Sequence, residues 1–293
     1  MSESVLKIRD LRVTFNTQLG ELRAVRGVDV DVTPGEILGV VGESGSGKSV
    51  SFLAAMGLLP KSATITGSVE LDGVELIGAG RKAIRSVRGK SLAMVFQDPL
   101  SALNPVHRVG DQIVEMIQSH QDMNTHDAEK KAVELLEIVG IPQPDERALQ
   151  YPHEFSGGMR QRVVIAMAIA NNPKVLIADE PTTALDVTVQ AQILEVIQRV
   201  QQTFGTAVVL ITHDLGVIAR VADSVNVMYA GRNVESGSVQ SIFDHPSHPY
   251  TRGLLSSLPH EGIERLHPIA GFPPNMLAPP SGCGFAPRCQ HAI

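Results

Sequence analysis

The segment Gly42–Ser49 reads Gly-Glu-Ser-Gly-Ser-Gly-Lys-Ser and directly follows the apolar run Ile37–Val41. A buried strand that leads into a glycine-rich turn, with a helix beginning near Lys48, is the context of a phosphate-binding loop. The glycines let backbone N–H groups turn inward on a polyphosphate, and the helix N-terminus adds favourable dipole charge. We therefore predict that this loop, called the P-loop below, binds a nucleoside triphosphate, with Lys48 on the β- and γ-phosphates and Ser49 on Mg²⁺.

Two other interpretations of the loop account for less of its sequence. A dinucleotide-binding turn needs a third glycine at the position where Val50 stands. A plain Gly/Ser-rich connection does not require Gly42, Gly47, Lys48 and Ser49, all of which match the P-loop template.

Composition limits the remaining classes of protein. The chain has 293 residues, of which 43% are hydrophobic, enough for a large core and a smaller appendage. Its net charge of −6, without a basic block, argues against a nucleic-acid partner. No apolar stretch approaches the roughly 20 residues that cross a bilayer. The polar N-terminus lacks a signal sequence and there are only two cysteines, so we expect a cytoplasmic protein without a disulfide scaffold.

Apolar runs that alternate with helical patterns predict an α/β fold with a doubly wound parallel sheet. The runs typical of buried strands, after Ile37–Val41, are Leu92–Phe96, Val175–Ala178, Ala207–Ile211 and Val225–Tyr229. The helical patterns lie at Ile113–Ile117, Ala128–Val139, Arg160–Ala170 and Val187–Val200.

Three further regions complete the predicted organisation. The stretch Val5–Thr33, with Ser68–Leu71 and Val74–Leu76, predicts a small N-terminal antiparallel sheet. A helical subdomain is expected at about 99–160. After His245 the sequence is rich in Pro, Gly, Ser and His, which predicts an irregular tail at 245–293, following a first domain at 1–244.

Polar residues follow several of the predicted strands. In open α/β sheets the ligand lies beyond the carboxyl ends of the strands, so Gln97, Asp179, Glu180 and His213 are expected to converge on the phosphate site. Asp179 suits Mg²⁺, and Glu180 is placed to act as general base toward the attacking water. Gln97 is expected to contact that water and the metal, and His213 to donate to the γ-phosphate. Singly, each has an ordinary structural explanation; jointly with the P-loop they predict phosphoryl transfer.

A second glycine-rich string precedes a helix at Phe155–Arg162, where Ser156 is placed to cap the helix beside Gly157 and Gly158. An ordinary Ser-Gly-Gly start of a helix is the alternative. One chain has little use for two such anion cradles on one nucleotide. A head-to-tail dimer would use both, with ATP held between the P-loop of one subunit and the Ser-Gly-Gly segment (Ser156–Gly158) of the other.

The order of the P-loop, Gln97, the Ser-Gly-Gly segment, Asp179-Glu180, Asp186 and His213 resembles the ATP-binding-cassette ATPases. The resemblance covers nearly the whole chain and implies a P-loop NTPase (RecA-like) core. It makes Lys48 and Ser49 Walker A residues, Val175–Glu180 the Walker B strand with the catalytic glutamate, and His213 the switch histidine. Phe15 falls where the family stacks an aromatic ring on adenine, although a core position in the small sheet is an alternative. The nucleotide-binding candidates are then Phe15, Gly42, Ser44, Gly45, Gly47, Lys48, Ser49, Val50, Ser156, Gly157, Gly158 and the D-loop residue Asp186; those for Mg²⁺ are Ser49, Gln97 and Asp179.

Several strings are similar to the ATPase subunits of bacterial dipeptide and oligopeptide importers: Gln97–Pro99 with Ser101–Pro105, Phe155–Arg162 with Met159, His248–Leu255 and Gly282–Cys289. This resemblance implies ATP-driven peptide uptake by a peripheral protein on the cytoplasmic face of the bacterial membrane. It also implies a second cassette, two transmembrane permease subunits and, indirectly, an extracytoplasmic peptide-binding protein. Importers of nickel chelates or glutathione share such cassettes and remain alternatives.

Cys283 and Cys289 do not have the spacing of a CxxC metal knuckle. Related tails carry further cysteines for an iron–sulfur cluster, which needs four ligands. We take two free thiols as the simplest expectation and a 4Fe-4S cluster with additional ligands as the alternative.

Other functional classes fit less well. A soluble cassette ATPase acting on DNA or ribosomes normally has coiled-coil or tandem insertions, and no sustained heptad pattern is present. A cassette that only clamps ATP would not need Glu180, His213 and Gln97, and a kinase would need an acceptor-binding motif.

Overall fold

The computed structural model describes residues 3–183, 185–257 and 269–292. In chain order the elements are β1 (Leu6–Thr17), β2 (Gly20–Val32), β3 (Ile37–Val41), α1 (Lys48–Ala55), β4 (Ala63–Leu71), β5 (Val74–Glu75), α2 (Arg81–Val87), β6 (Leu92–Val95), α3 (Pro99–Ala102), α4 (Val109–Gln118), α5 (Thr125–Ile138), α6 (Pro144–Ala148), α7 (Gly157–Ile169), β7 (Val175–Asp179), α8 (Val187–Phe204), β8 (Ala207–Thr212), α9 (Leu215–Val221), β9 (Ser224–Tyr229), β10 (Arg232–Ser238), α10 (Val239–Asp244) and α11 (Pro249–Ser256). Short 3₁₀ turns lie at Pro152–Glu154 and Ala286–Arg288.

The chain divides into two compact units, the first drawn from 1–33, 37–79 and 210–293 and the second from 34–36 and 80–209. Strand β8 crosses the division between Val209 and Leu210. Strands β9 and β10 and the C-terminal residues belong to the same unit as the N-terminal sheet, and the expected domain boundary at residue 244 stays a prediction.

The first unit contains the predicted antiparallel sheet, with the strand order β2-β1-β4-β5. Leu6 and Ile8 pair with Val32 and Val30, and all four side chains are buried, as strict alternation of apolar residues requires. The unit also contains β3, paired in parallel with β9, and β10, which pairs antiparallel with β9. All five residues of β3 are buried, so the strand that leads into the P-loop is fixed on both faces.

The second unit holds the parallel pair β6 and β7, with Leu92 opposite Val175 and Val95 opposite Ala178. The helices α3 to α7 belong to this unit, and their buried side chains include Ile113, Ile117, Leu136, Ile165 and Ile169. A separate helical subdomain at about 99–160 stays a prediction. Helix α8 begins and ends at residues that are typical of helix termini. Asp186 accepts a hydrogen bond from the Val189 N–H at its start, and Gly205 closes it in the left-handed conformation.

The C-terminal region is more ordered than its composition predicts. Helix α11 lies within 245–257, and its Tyr250 is completely buried. Among the described residues 269–292, regular structure is confined to the 3₁₀ turn. The tail is therefore irregular as predicted except for α11, which packs through aromatic contacts: the rings of Tyr229, Tyr250 and Phe285 lie 4.5 to 5.5 Å apart between centroids.

Candidate functional site

The P-loop passes from β3 into α1 through backbone that only glycine accommodates. Gly42 has φ 152°, and a Cβ on it would stand 2.1 Å from the Met228 carbonyl oxygen. Gly47, the residue that precedes α1, is left-handed with φ 97°. No side chain caps the N-terminus of α1. This is the form of loop that can receive an anion at a helix N-terminus.

Lys48 lies inside the loop. Its side chain is buried, and Nζ donates to the carbonyl oxygens of Gly42 at 2.7 Å and Glu43 at 3.0 Å. Among the described residues, the buried Ser46 hydroxyl has no hydrogen-bond partner. A buried ammonium and an unpaired hydroxyl in one concave loop fit a polyphosphate, whose oxygens would complete both sets of hydrogen bonds. Of the other candidates, Ser44 and Gly45 are exposed, and Ser49 and Val50 are half-buried in the first turn of α1.

The first unit contains two further predicted residues. His213 follows the last residue of β8 and is exposed, immediately before Asp214, which caps α9. Phe15 lies in β1 opposite Leu22 of β2 and is half-buried, so its role at the adenine ring stays a prediction beside the alternative of a core residue.

The second unit brings together Gln97 and Glu180, which lie 83 positions apart in the sequence. Gln97 Nε2 donates to Glu180 Oε2 at 3.1 Å, and the Thr183 hydroxyl donates to the same oxygen at 2.8 Å. Glu180 has φ 46°, a conformation that L residues rarely adopt, whereas the preceding Asp179 is buried at the end of β7. A strained backbone and two convergent donors hold the carboxylate in a defined orientation.

The Ser-Gly-Gly segment also lies in the second unit, and the predicted cap is confirmed. The Ser156 hydroxyl accepts from the Met159 N–H at 3.4 Å, and α7 begins at Gly157. A Cβ on Gly158 would stand 2.5 Å from Val189 of α8, so the two helix starts are closely packed. Asp186, which caps α8, therefore lies in the same local structure as the segment.

The predicted site residues thus fall into two groups. The P-loop, His213 and Phe15 belong to the first unit, whereas Gln97, Asp179, Glu180, Asp186 and the Ser-Gly-Gly segment belong to the second. Convergence of both groups on one nucleotide stays a prediction.

Sequence reasoning missed three functional neighbours. Thr183 follows Asp179-Glu180 by three residues and had no recognised signal. Tyr250 and Arg288 both contact Glu43 of the P-loop. Their sequence strings contribute to the importer resemblance, but nothing in them indicates this contact.

The Cys289 Sγ accepts a hydrogen bond from the His291 N–H at 3.4 Å. Within the described part of the chain both thiols are free, with Cys283 exposed and Cys289 half-buried. No group of three or more His, Cys, Asp and Glu residues able to hold a metal occurs among the residues that were placed. The structure therefore offers no support for the iron–sulfur alternative.

Comparison with known proteins decides the family. Residues 25–183, more than half of the 293, match the family described as "ABC transporter". The chain belongs to the ABC transporter family. Residues 234–293 match a second description, "Oligopeptide/dipeptide transporter, C-terminal region".

Two relatives of this ABC protein come from Bacillus subtilis (strain 168). The "Oligopeptide transport ATP-binding protein OppD" is 52% identical over 99% of this chain and 82% of its own length. The "Dipeptide transport ATP-binding protein DppD" is 52% identical over 99% of this chain and 88% of its own length.

A solved structure confirms the fold. The dimeric, post-hydrolysis ATP-binding cassette MJ0796 with ADP and Pi is 26% identical, with a TM-score of 0.71 over 80% of this chain and 98% of that one. The predicted α/β P-loop core with its small antiparallel sheet is therefore that of ABC cassettes. As an ABC ATPase, the protein hydrolyses ATP and uses Mg²⁺. Across the residues that the structure describes, no helix has both the length and the apolarity to cross a membrane.

Proposed function

We propose that this protein is the ATP-hydrolysing subunit of a membrane importer of dipeptides or oligopeptides. The observation that carries the proposal is that one chain matches both the ABC cassette and the peptide-transporter C-terminal region. Two relatives with 52% identity over 99% of the chain are peptide-transport ATP-binding proteins by name. An iron–sulfur cluster is not required by this proposal.

In the proposed mechanism the P-loop holds the triphosphate. Lys48 exchanges the carbonyl oxygens of Gly42 and Glu43 for phosphate oxygens, at little cost in reorganisation because its ammonium already lies in the loop. Ser49, Asp179 and Gln97 are the residues that would hold Mg²⁺ through oxygen ligands, directly or through water, and the bound ion would neutralise phosphate charge. His213 donates to the terminal phosphate, and Phe15 stacks on the adenine ring.

Glu180 is the general base. Its carboxylate takes the proton from the attacking water while Gln97 and Thr183 hold Oε2, so the carboxylate does not rotate away from the reacting water. The positive φ of Glu180 supports this assignment, since strained backbone concentrates at functional positions.

Two cassettes facing head to tail complete each site. The Ser-Gly-Gly segment and Asp186 act on the nucleotide bound to the P-loop of the opposite cassette, which is either a second copy or a sister subunit. Exposure of Ser156 and Gly157 supports an intermolecular role, as does the dimeric state of the MJ0796 cassette.

We propose that the permease contacts an apolar groove of about 390 Å³ in the second unit, near Gln97. Its walls are Met94, Phe96, Ser101, Ala102, Met116, Val164, Met167 and Ala168. Phe96 is 38% exposed and neighbouring Leu100 is 60% exposed, so a short apolar helix of a transmembrane subunit would cover surface that water now reaches. Because Gln97 directly follows Phe96 of the groove and donates to Glu180, closure around ATP would be transmitted to the permease on the cytoplasmic face of the membrane.

The proposal is tested by purifying the tagged protein with its membrane partners and reconstituting the complex in vesicles. Labelled dipeptide, tetrapeptide, nickel and glutathione are offered with ATP and the matching substrate-binding protein. We expect ATP-dependent uptake of peptide. Uptake of nickel or glutathione alone would overturn the peptide assignment, and copurification of the tagged protein without any membrane subunit would overturn the transport assignment.

A further inference from the structure

Glu43, the second residue of the P-loop, forms hydrogen bonds to other residues of the first unit through its N–H, its carbonyl oxygen and its carboxylate. Its N–H donates to the Tyr250 hydroxyl oxygen at 2.8 Å. Its carbonyl oxygen accepts from Lys48 Nζ at 3.0 Å and from the Ser46 N–H at 3.2 Å. Its carboxylate accepts two hydrogen bonds from Arg288, at 2.8 and 3.1 Å. Two of these three attachments lead to the C-terminal residues.

Arg288 is fitted to this position. Nη1 and Nη2 contact the Glu43 carboxylate, Nη1 also donates to the Tyr229 hydroxyl, and Nη2 and Nε donate to the carbonyl oxygens of Ile269 and Ala270. Every N–H of the guanidinium therefore has an acceptor. The side chain is only 5% exposed, in contrast to the 26% exposure of the Glu43 side chain. A buried, fully bonded and bidentate pair is much stronger than a surface ion pair.

The aromatic cluster of Tyr229, Tyr250 and Phe285 supports the same attachment. The Arg288 guanidinium lies 5.8 Å from the Tyr229 ring centroid and 5.9 Å from that of Phe285. Burial raises the pKa of Tyr250, so its phenol stays neutral and accepts from Glu43 without adding charge. Burial alone would lower the pKa of Arg288, but the hydrogen bonds to Glu43 and Tyr229 outweigh it and raise that pKa. The guanidinium is thus permanently charged.

A second stretch of the C-terminal residues also lies against the loop. Pro273, Pro274 and Met276 form a narrow crevice with residues 43–46 of the P-loop. The Met276 carbonyl oxygen accepts from the Arg23 N–H of β2 at 3.1 Å, which fixes this stretch to the sheet. The P-loop is therefore bounded by C-terminal residues beside Glu43 as well as at its carboxylate.

We propose that Arg288 is a positioning residue for ATP: through Glu43 it couples the C-terminal region to the conformation of the P-loop. The pair keeps the Glu43 peptide oriented so that Lys48 lies inside the loop before nucleotide arrives. Loss of the pair leaves the chemistry at Glu180 intact but lets the loop sample conformations that bind ATP poorly. The inference rests on the proposed nucleotide-binding role of Lys48.

The test compares Arg288→Gln, Glu43→Gln and the double variant in the full-length protein, with Arg85→Gln as a control at an exposed arginine of α2. ATP affinity is measured by titration with a fluorescent ATP analogue, and hydrolysis by steady-state kinetics. We expect each single variant to weaken ATP binding and raise KM about five- to tenfold, a coupling of ordinary size, with kcat within about twofold of wild type. The double variant should lose no more than either single one.

Further variants distinguish this role from general destabilisation. Arg288→Lys keeps the charge but not the paired hydrogen bonds, and should recover only part of the affinity. If Arg288→Gln does not fold, Glu43→Gln decides, because it leaves the C-terminal residues unaltered. Lys48→Ala must weaken ATP binding by about a hundredfold in the same assay. If Lys48→Ala binds ATP like wild type, the proposed function fails. If Lys48→Ala binds ATP weakly but Arg288→Gln and Glu43→Gln bind it like wild type, only this inference fails. Additive losses of affinity in the double variant would likewise overturn only this inference.

Discussion

The P-loop and the Ser-Gly-Gly segment are both glycine-rich starts of helices, yet they are built differently. In the P-loop, Gly42, Gly45 and Gly47 have positive φ, no side chain caps α1, and Lys48 lies inside the loop. In the Ser-Gly-Gly segment, Gly157 and Gly158 continue as regular helix and Ser156 occupies the capping position. No lysine or arginine takes part in that cap.

The difference indicates how each cradle is used. The P-loop encloses a cation and an unpaired hydroxyl, so it can grip a phosphate chain within one subunit. The Ser-Gly-Gly segment is an exposed, already capped helix end, which gains from a phosphate only when one is brought to it. Binding and cleavage should therefore respond separately to changes in the two regions.

The largest expected effect separates binding from cleavage altogether. Glu180→Gln removes the general base, and hydrolysis should fall by about two to four orders of magnitude. ATP affinity should stay within about threefold, because the P-loop is unaltered. Single-turnover hydrolysis and equilibrium binding check this, with the ATP-bound dimer accumulating on size exclusion. Near-wild-type turnover would remove Glu180 from the mechanism.

Lys48→Ala should damage the P-loop alone. Loss of the buried ammonium should weaken ATP binding by about a hundredfold, since charge-assisted hydrogen bonds in an enclosed site are strong. Lys61→Ala, which changes an exposed lysine of the same unit, is the matched control and should bind ATP normally. Titration with ATP measures both. Equal affinities for the two variants would show that the loop does not hold the phosphates.

Ser156→Arg should suppress hydrolysis at least about tenfold while single cassettes bind ATP like wild type, because a bulky cation would obstruct the opposite cassette. Ser156→Ala removes the cap, about 1 kcal/mol of stability or less, and the hydroxyl offered to the nucleotide but adds no bulk, so its hydrolysis should fall less than that of Ser156→Arg. Hydrolysis assays and binding at concentrations below dimerisation separate the two steps. A parallel loss of binding and hydrolysis would place the segment on the nucleotide of its own subunit.

The smallest expected effect is on the pH dependence of stability at α11, whose Tyr250 contacts Glu43 of the P-loop. The His248 Nδ1 accepts from the Tyr250 N–H at 3.1 Å, and burial lowers the pKa of His248 against the opposing influence of Glu235. The folded pKa therefore lies below the ordinary value of 6.5, and between these two values the unfolded chain binds more protons. Stability from this group is present above that window and is lost as the pH falls through it.

His248→Asn keeps an acceptor at the helix start but does not titrate. Between about pH 7.5 and about pH 5.5, the melting temperature of the variant should fall less than that of wild type. Thermal unfolding at both pH values checks this. A larger fall in the variant would contradict the assignment of the proton to His248.

Local features were predictable where a single short sequence pattern sets the geometry. The strand before the P-loop, the caps at Ser156 and the alternation that forms the antiparallel sheet all follow from neighbouring residues. Helix α11 was not predicted, because turn-forming residues at 245–293 suggest irregular chain while the packing of distant aromatic rings holds it. The sequence predicted that Gln97 and Glu180 lie at the same edge of the sheet but not that they form a hydrogen bond. Thr183, the second donor to the Glu180 carboxylate, was missed.

Residue types at fixed spacing along a few turns of chain were enough to indicate a resemblance to the family, the P-loop and the chemical groups available for phosphate transfer. Which of these groups meet depends on packing between residues that are far apart in the sequence. Glu43 and Arg288 are 245 positions apart, and neither residue alone indicates the other. Only burial of the guanidinium against Tyr229 and Phe285 makes that pair strong, because removal of water turns a weak surface attraction into a fixed contact.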